Sequence, residues 1–146
     1  MNTGDTYARI KLNIPAELSY LPILGTCIKT MLGEVVGLQQ RDQVIYNVEL
    51  AAYEACTNIV EHAYRKSSGY IEAAVALTEA PACIVVDLFD TGSSFNIEDL
   101  PEPNLDEPQV RGYGLFLVRE LMDEVTYQKD AGRNHWRLVK EIVIDK

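Results

Sequence analysis

Glu54 and Asn58 are the first pair of residues whose types and spacing suggest chemistry. They are four positions apart in a segment, residues 41–64, whose apolar residues recur at helical spacing, so both side chains should stand on one helix face. An amide oxygen is a suitable ligand for Mg²⁺ beside phosphate oxygens. A carboxylate next to it could take the proton from an attacking hydroxyl group. On spacing alone, the pair could instead belong to an ordinary solvated face of the helix.

Asp90 and Gly92 form a second candidate, directly after the mostly apolar run 83–89, which predicts a buried strand. At the C-terminal end of that strand, the carboxylate of Asp90 could accept a hydrogen bond from an exocyclic amine such as that of adenine. Gly92 would let the backbone approach a ligand closely. Because Asp-x-Gly is also a common turn sequence, this motif alone indicates little.

Gly112 and Gly114 form a third candidate, at the start of a segment that predicts an amphipathic helix over about 113–124. Backbone N–H groups at a helix N-terminus carry partial positive charge and bind phosphate. Arg111 could neutralise charge on a transferred phosphoryl group, or it could be a surface residue. A lone Gly-x-Gly is also a weak signal.

The elements that must position these groups follow from hydrophobic periodicity and turn residues. Residues 91–111 show no period and predict a long loop, of the kind that is usually functional or disordered. Short connections between strands favour antiparallel pairing, so we expect a single α+β domain, 1–146, a two-layer sandwich with a mixed, mostly antiparallel sheet and helices on one face. The predicted strands are 7–14, 70–78, 82–89, 124–129 and 134–143, and the predicted helices are 17–36, 41–64 and 113–124.

Composition limits the class of partner. The 146 residues are 47% hydrophobic and 24% charged, with 13 basic and 22 acidic residues and a net charge of −9. That excess of acid disfavours direct binding of nucleic acid or of an anionic membrane. No segment has the length of a membrane span or of a signal peptide core, so we expect a cytoplasmic protein.

The cysteines and histidines show no metal-binding pattern. Three cysteines in apolar segments, with no Cys-x-x-Cys pair, predict buried, reduced thiols. His62 is expected to be a structural residue at a helix end and His135 a surface residue of the last strand. A zinc site is therefore not expected. The three cysteines are Cys27, Cys56 and Cys83.

Three segments in this order together resemble a known family. Residues 54–64 resemble the N box of the GHKL ATPase superfamily, which includes gyrases, histidine kinases and MutL proteins; residues 90–95 resemble its first glycine box, and residues 111–118 its second. Within the superfamily, the Glu-x-x-x-Asn-x-x-x-His-Ala-Tyr pattern, the segment 121–125 and the ending 132–140 are most similar to the anti-sigma regulatory serine/threonine kinases. The resemblance covers about residues 7–143 and implies a Bergerat-type ATP-binding fold.

The resemblance also implies roles for individual residues, with ATP and Mg²⁺ as cofactors. Glu54 matches the general base, Asn58 the Mg²⁺ ligand and Asp90 the adenine-binding carboxylate. Residues 96–111 match the mobile lid, which here is short and acidic. Where many superfamily members have Gly-Thr, this chain has Gly132-Arg133-Asn134. The remaining nucleotide-binding residues expected from the glycine boxes are Gly92, Arg111, Gly112, Tyr113, Gly114 and Leu115.

Members of this family are commonly homodimers that bind a sigma factor or a small antagonist protein of the STAS type. The resemblance therefore implies a kinase that phosphorylates the antagonist on serine or threonine and sequesters a sigma factor. One alternative is an ATP-binding module that sequesters a regulator with little or no phosphoryl transfer. A partner-switch regulator whose output is not a sigma factor is another, and a stand-alone ATPase of the gyrase or MutL kind is the third.

Overall fold

A five-stranded sheet forms one layer of the computed structural model, which describes residues 1–64, 69–92 and 113–145. Its strand order is β1-β2-β3-β5-β4. All four pairings are antiparallel, so the described sheet contains no parallel pair of the kind that a mixed sheet would include. The strands are β1 (Asp5–Pro15), β2 (Tyr70–Glu79), β3 (Cys83–Asp90), β4 (Glu124–Asp130) and β5 (Arg133–Glu141).

Three helices form the second layer, with α2 packed between α1 and α3. They are α1 (Pro22–Gly33), α2 (Arg41–Asn58) and α3 (Tyr113–Leu121). No helix in these described ranges is both long and apolar enough to cross a bilayer.

The first predicted helix, 17–36, is too long at both ends. A 3-10 turn, Leu18–Tyr20, comes first, and α1 begins at Pro22, whose fixed φ and missing N–H suit the first helical position. The helix ends at Gly33 rather than at Gly37, where the sequence predicted the stop. Its predicted apolar positions are nevertheless buried, including Leu24, Ile28 and Leu32.

The second predicted helix has the right extent, but its last turn differs. After Asn58 the chain continues as a π-helical turn, Ile59–Ala63, closed by a hydrogen bond from the N–H of Tyr64 to the carbonyl oxygen of Ile59 (3.1 Å). Such wide turns occur frequently at functional sites. Here the turn lies between the residue predicted to bind Mg²⁺ and the start of the next segment.

Small residues on α2 bring the helix close to the layers that surround it. Ala51, Ala52 and Ala55 are almost completely buried. They belong to one core together with large side chains of α1, β3 and β5, among them Ile28, Leu88 and Trp136. As a result, polar residues on the adjoining face of α2 lie near the first turn of α3.

β1 departs from its predicted half-buried pattern. Ile14 is buried and Ala8 and Leu12 are partly buried, but Ile10 is 43% exposed. β1 is an edge strand, and α1 packs on its neighbour β2, so the helical layer covers β1 incompletely. The turn predicted at residues 130–132 joins β4 and β5 as a tight hairpin, with positive φ angles at Ala131 and Gly132.

Candidate active site

Asp90 is the most completely buried of the predicted site carboxylates. It is the last residue of β3, is 3% exposed, and lies opposite Asn134 of β5 in the sheet register. Its Oδ1 atom accepts hydrogen bonds from the backbone N–H of Gly92 (3.0 Å) and from Nδ2 of Asn134 (2.8 Å). Burial raises the pKa of Asp90, while these two hydrogen bonds act to lower it.

Asn134 fixes the orientation of that carboxylate. The residue is 1% exposed, and its amide nitrogen also donates to the carbonyl oxygen of Gly92 (3.0 Å). Rotating the amide by half a turn would place its oxygen against two acceptors, so only one orientation is satisfied. The sequence marked Asn134 only as a departure from the family pattern, because its partner is 44 residues away.

Gly92 is packed against the protein itself. A Cβ atom at this position would lie 2.6 Å from the carbonyl carbon of Ala63, in the π turn after α2. The close approach that the sequence predicted for Gly92 is therefore, in the described structure, an approach to the helix end. The loop after β3 can follow this path only with glycine at position 92.

Tyr64 joins the same helix end to the same loop. Its hydroxyl group accepts a hydrogen bond from the backbone N–H of Thr91 (2.8 Å) and donates one to the carbonyl oxygen of Tyr70 (3.0 Å). Its ring packs on Gly69, where a Cβ atom would lie 2.5 Å from the phenolic carbon. The sequence analysis used Tyr64 only as part of a motif. Gly69, five residues later, was the available signal that the tyrosine ring packs against the following segment.

Glu54 and Asn58 lie in the last turn and a half of α2, and both are partly buried. A Cβ atom at Gly114 would lie 2.5 Å from Oε2 of Glu54, so this carboxylate reaches the first turn of α3. Burial raises the pKa of Glu54, and the negative charge of Glu61 raises it further. The structure thus brings the predicted base and one of the predicted glycines into contact.

The other members of the second glycine box are only partly visible. Gly112 and the whole segment 96–111 predicted as a lid, including Arg111, lie outside the residues that the structure describes. Tyr113 begins α3. Leu115 is buried in the core, so its backbone N–H, not its side chain, is the group that could meet a phosphate.

His135 is not the surface residue that the sequence predicted. Its ring nitrogen Nε2 lies 2.6 Å from Oδ1 of Asp87, and its ring stacks on Phe89 with centroids 4.3 Å apart. Arg137 also contacts Asp87, at 3.1 Å. Cross-strand pairing of β3 with β5 produces this cluster, which a single-strand pattern does not reveal.

The other histidine and the cysteines agree with their predicted structural roles. His62 is partly buried in the π turn. Cys56 and Cys83 are buried free thiols, and Cys27 is partly buried; burial raises the pKa of Cys56 to about 12. The described ranges contain no group of three or more His, Cys, Asp or Glu side chains that could hold a metal ion.

Comparison with known sequences identifies similar proteins. A family model for the histidine kinase-like ATPase domain matches residues 14–140. The serine-protein kinase RsbW of Bacillus licheniformis is 31% identical over 131 residues, which are 84% of this chain and 80% of that protein. The serine-protein kinase RsbW of Bacillus mycoides is 31% identical over 137 residues, which are 88% of this chain and 82% of that protein.

Solved structures with the same fold are more distant in sequence. The RsbU and RsbW domains of a Mycobacterium tuberculosis protein superpose with a TM-score of 0.66 at 20% identity, over 93% of this chain and a third (33%) of that one. The histidine kinase domain of a blue-light activated histidine kinase from Erythrobacter litoralis gives a TM-score of 0.55 at 19% identity, over 94% of this chain and 70% of that one. Both likenesses support the α+β fold.

Proposed function

The chain belongs to the family of histidine kinase-like ATPase domains and is related to the RsbW serine-protein kinases, and from that premise we propose that it transfers the γ-phosphoryl group of ATP to a serine or threonine of a small partner protein. The observation that carries the proposal is the contact between the carboxylate of Glu54 and the first turn of α3 at Gly114. It supports the proposal because a carboxylate of raised pKa beside the helix N-terminus that would hold the phosphates could act as the base.

Adenine recognition is assigned to Asp90. Because the hydrogen bonds from Gly92 and Asn134 both end on Oδ1, Oδ2 is the atom that we assign to the exocyclic amine of adenine. A carboxylate oxygen can only accept a hydrogen bond, whereas guanine has an oxygen in place of that amine. The site should therefore prefer ATP to GTP.

The phosphate end is assigned to α2 and α3. Asn58 offers one amide oxygen, a donor that fits Mg²⁺ when phosphate oxygens and water complete the octahedron. Gly112, Gly114 and the N–H groups of Tyr113 and Leu115 would bind phosphate oxygens at the α3 N-terminus. Arg111 is assigned to the charge on the transferred group. Bound Mg²⁺ would neutralise phosphate charge during the transfer.

The transfer itself requires one proton movement by the protein. Glu54 takes the proton of the partner's hydroxyl group as that oxygen forms a bond to the γ-phosphorus. The bond from the γ-phosphorus to the bridging oxygen breaks, which leaves ADP and a phosphorylated serine or threonine. Burial of Glu54 strengthens it as a base, because the ionised carboxylate loses part of its hydration.

The relationship to the RsbW proteins supports three further parts of the proposal. The phosphate acceptor is an antagonist protein of the STAS type, and phosphorylation releases it. After the antagonist is released, the kinase sequesters a sigma factor in the cytoplasm. The working unit is a homodimer.

Titration calorimetry with ATP, in the presence and absence of Mg²⁺, tests the nucleotide site. The unaltered protein should bind MgATP more tightly than ATP alone, and Asn58→Ala should remove that difference. Asn47→Ala is the matched control, because Asn47 lies on the same helix and its side chain pairs with Gln43. Absence of ATP binding by the unaltered protein overturns the proposed function.

A further inference from the structure

The hydroxyl group of Tyr64 is a junction between three segments. Tyr64 follows the π turn that ends the α2 region, Tyr70 begins β2, and Thr91 follows β3. The side chain is 6% exposed, and its hydroxyl bonds to the backbone of both other segments, at 3.0 Å and 2.8 Å. The hydroxyl oxygen of Thr91 also lies within hydrogen-bonding distance, at 3.3 Å. A buried hydroxyl with this many partners fixes the relative positions of its neighbours.

The loop that Tyr64 holds is the one that carries the adenine carboxylate. Thr91 lies between Asp90 and Gly92; its N–H is bound by Tyr64, and the next N–H, of Gly92, is bound by Asp90. Gly92 in turn rests on the carbonyl group of Ala63, the residue before Tyr64. Two consecutive residues at the end of the helix thus fix two consecutive residues of the loop.

We propose that Tyr64 is a positioning residue of the nucleotide site, whose hydroxyl group holds the turn from Asp90 to Gly92 in the geometry that accepts adenine. The proposal rests on the function proposed above, since it presupposes that ATP binds at Asp90. Tyr64 does not touch the nucleotide in this account. It acts through the N–H of Thr91.

Tyr64→Phe isolates the hydroxyl group, because the ring that packs on Gly69 is kept. In this variant the N–H of Thr91 loses its acceptor in a partly buried place, and the loop must turn toward water to satisfy it. That movement draws the N–H of Gly92 away from Oδ1 of Asp90 and releases the carboxylate. Binding of adenine should weaken, while Asn58 keeps its place in the last turn of α2.

Calorimetric titration of Tyr64→Phe with ATP, with and without Mg²⁺, tests the proposal. The Kd for ATP should rise about threefold to tenfold, the effect of one lost hydrogen bond. It should rise by the same factor in both conditions, so that the gain in affinity from Mg²⁺ is unchanged. A general loosening of the helix end around Asn58 would reduce that gain. Tyr53→Phe is the matched control, because Tyr53 is a tyrosine of α2 whose side chain is 42% exposed; the Kd of that variant should equal the Kd of the unaltered protein.

Amide hydrogen exchange of the unaltered protein gives a second test that needs no variant. The N–H of Thr91 should exchange slowly before any nucleotide is added, because Tyr64 already binds it. Rapid exchange, or an unchanged Kd in Tyr64→Phe, overturns the role of Tyr64 and leaves the proposed function in place. Failure of the unaltered protein to bind ATP overturns both.

Discussion

Gly92 and Gly114 look alike in sequence, since each belongs to a glycine box, but they pack against different kinds of neighbour. A Cβ atom at Gly92 would meet the backbone carbonyl group of Ala63, whereas one at Gly114 would meet the end of the Glu54 side chain. Backbone in a packed helix end cannot shift without moving the fold, while a carboxylate can rotate away. Glycine at position 92 is therefore required by the fold, whereas glycine at position 114 leaves room for the carboxylate of Glu54.

The same contrast separates the adenine end and the phosphate end of the proposed nucleotide site. At the adenine end, Asp90 is held by Asn134 and by a backbone N–H inside the protein, so its geometry exists before a ligand arrives. At the phosphate end, Glu54 and Asn58 are partly buried side chains on a helix. The site should therefore be strongly pre-organised for adenine and weakly pre-organised for the phosphates.

Glu54→Gln should have the largest effect, and only on the phosphate end. The amide cannot take a proton, so phosphoryl transfer should fall by about 10²–10⁴, while the Kd for MgATP changes little. Transfer of labelled phosphate from ATP to the partner protein measures the first quantity and calorimetry the second. Glu49→Gln on the same helix is the control. Full transfer activity in Glu54→Gln would exclude Glu54 as the base. Absence of transfer by the unaltered protein, with partner binding kept in both, would favour a module that only sequesters its partner.

Gly114→Ala should reproduce part of that loss without removing the carboxylate. The new methyl group would push Oε2 of Glu54 aside, and misplacement of a catalytic group by about 1 Å can reduce transfer by about a hundredfold. Because only the flexible end of a side chain must move, the free energy of unfolding should stay nearly unchanged. A large loss of thermal stability with normal transfer would contradict the contact between Gly114 and Glu54.

Gly92→Ala should show the opposite pattern. The overlap with the Ala63 carbonyl group forces the loop away from the helix end, which should cost about 1–3 kcal/mol of unfolding free energy and weaken ATP binding about tenfold. Thermal unfolding and calorimetry measure the two effects. Gly33→Ala in α1 is the control, because no atom lies within 4 Å of its added methyl group. If Gly92→Ala and Gly114→Ala had the same free energy of unfolding, the distinction between the two glycines would be wrong.

Local sequence patterns predicted most of the fold. Periodicity and turn residues predicted the five strands and three α-helices of the described residues in the right order, because these signals need only neighbouring residues. Proline at the start of α1 and incomplete cover of β1 caused the errors in those elements. Asp90 and Glu54 could be proposed from motifs, but their partners Asn134 and Gly114 are 44 and 60 residues away along the chain. Strand register and helix packing, which no local pattern encodes, create those contacts.

Asn134→Ala should give the smallest effect near neutral pH and the clearest one in acid. In the proposed site, ionised Asp90 accepts a hydrogen bond from the adenine amine, so ATP affinity should fall as the pH drops through the pKa of Asp90. Burial raises that pKa above the ordinary value for aspartate. Removing the Asn134 hydrogen bond removes an influence that lowers the pKa, so in the variant the fall should begin at higher pH.

The free energy of unfolding should change with pH in the opposite direction to ATP affinity. A carboxyl group whose pKa is raised on folding binds its proton more tightly in the folded state, so acidification through that pKa adds to the free energy of unfolding. The unaltered protein should therefore gain stability relative to Asp90→Asn, which does not titrate, over the same range in which it loses ATP. Calorimetric titrations and thermal unfolding across pH measure both trends. Parallel binding curves for the unaltered protein and Asn134→Ala would show that Asn134 does not tune Asp90, and the adenine end would then be no better pre-organised than the phosphate end.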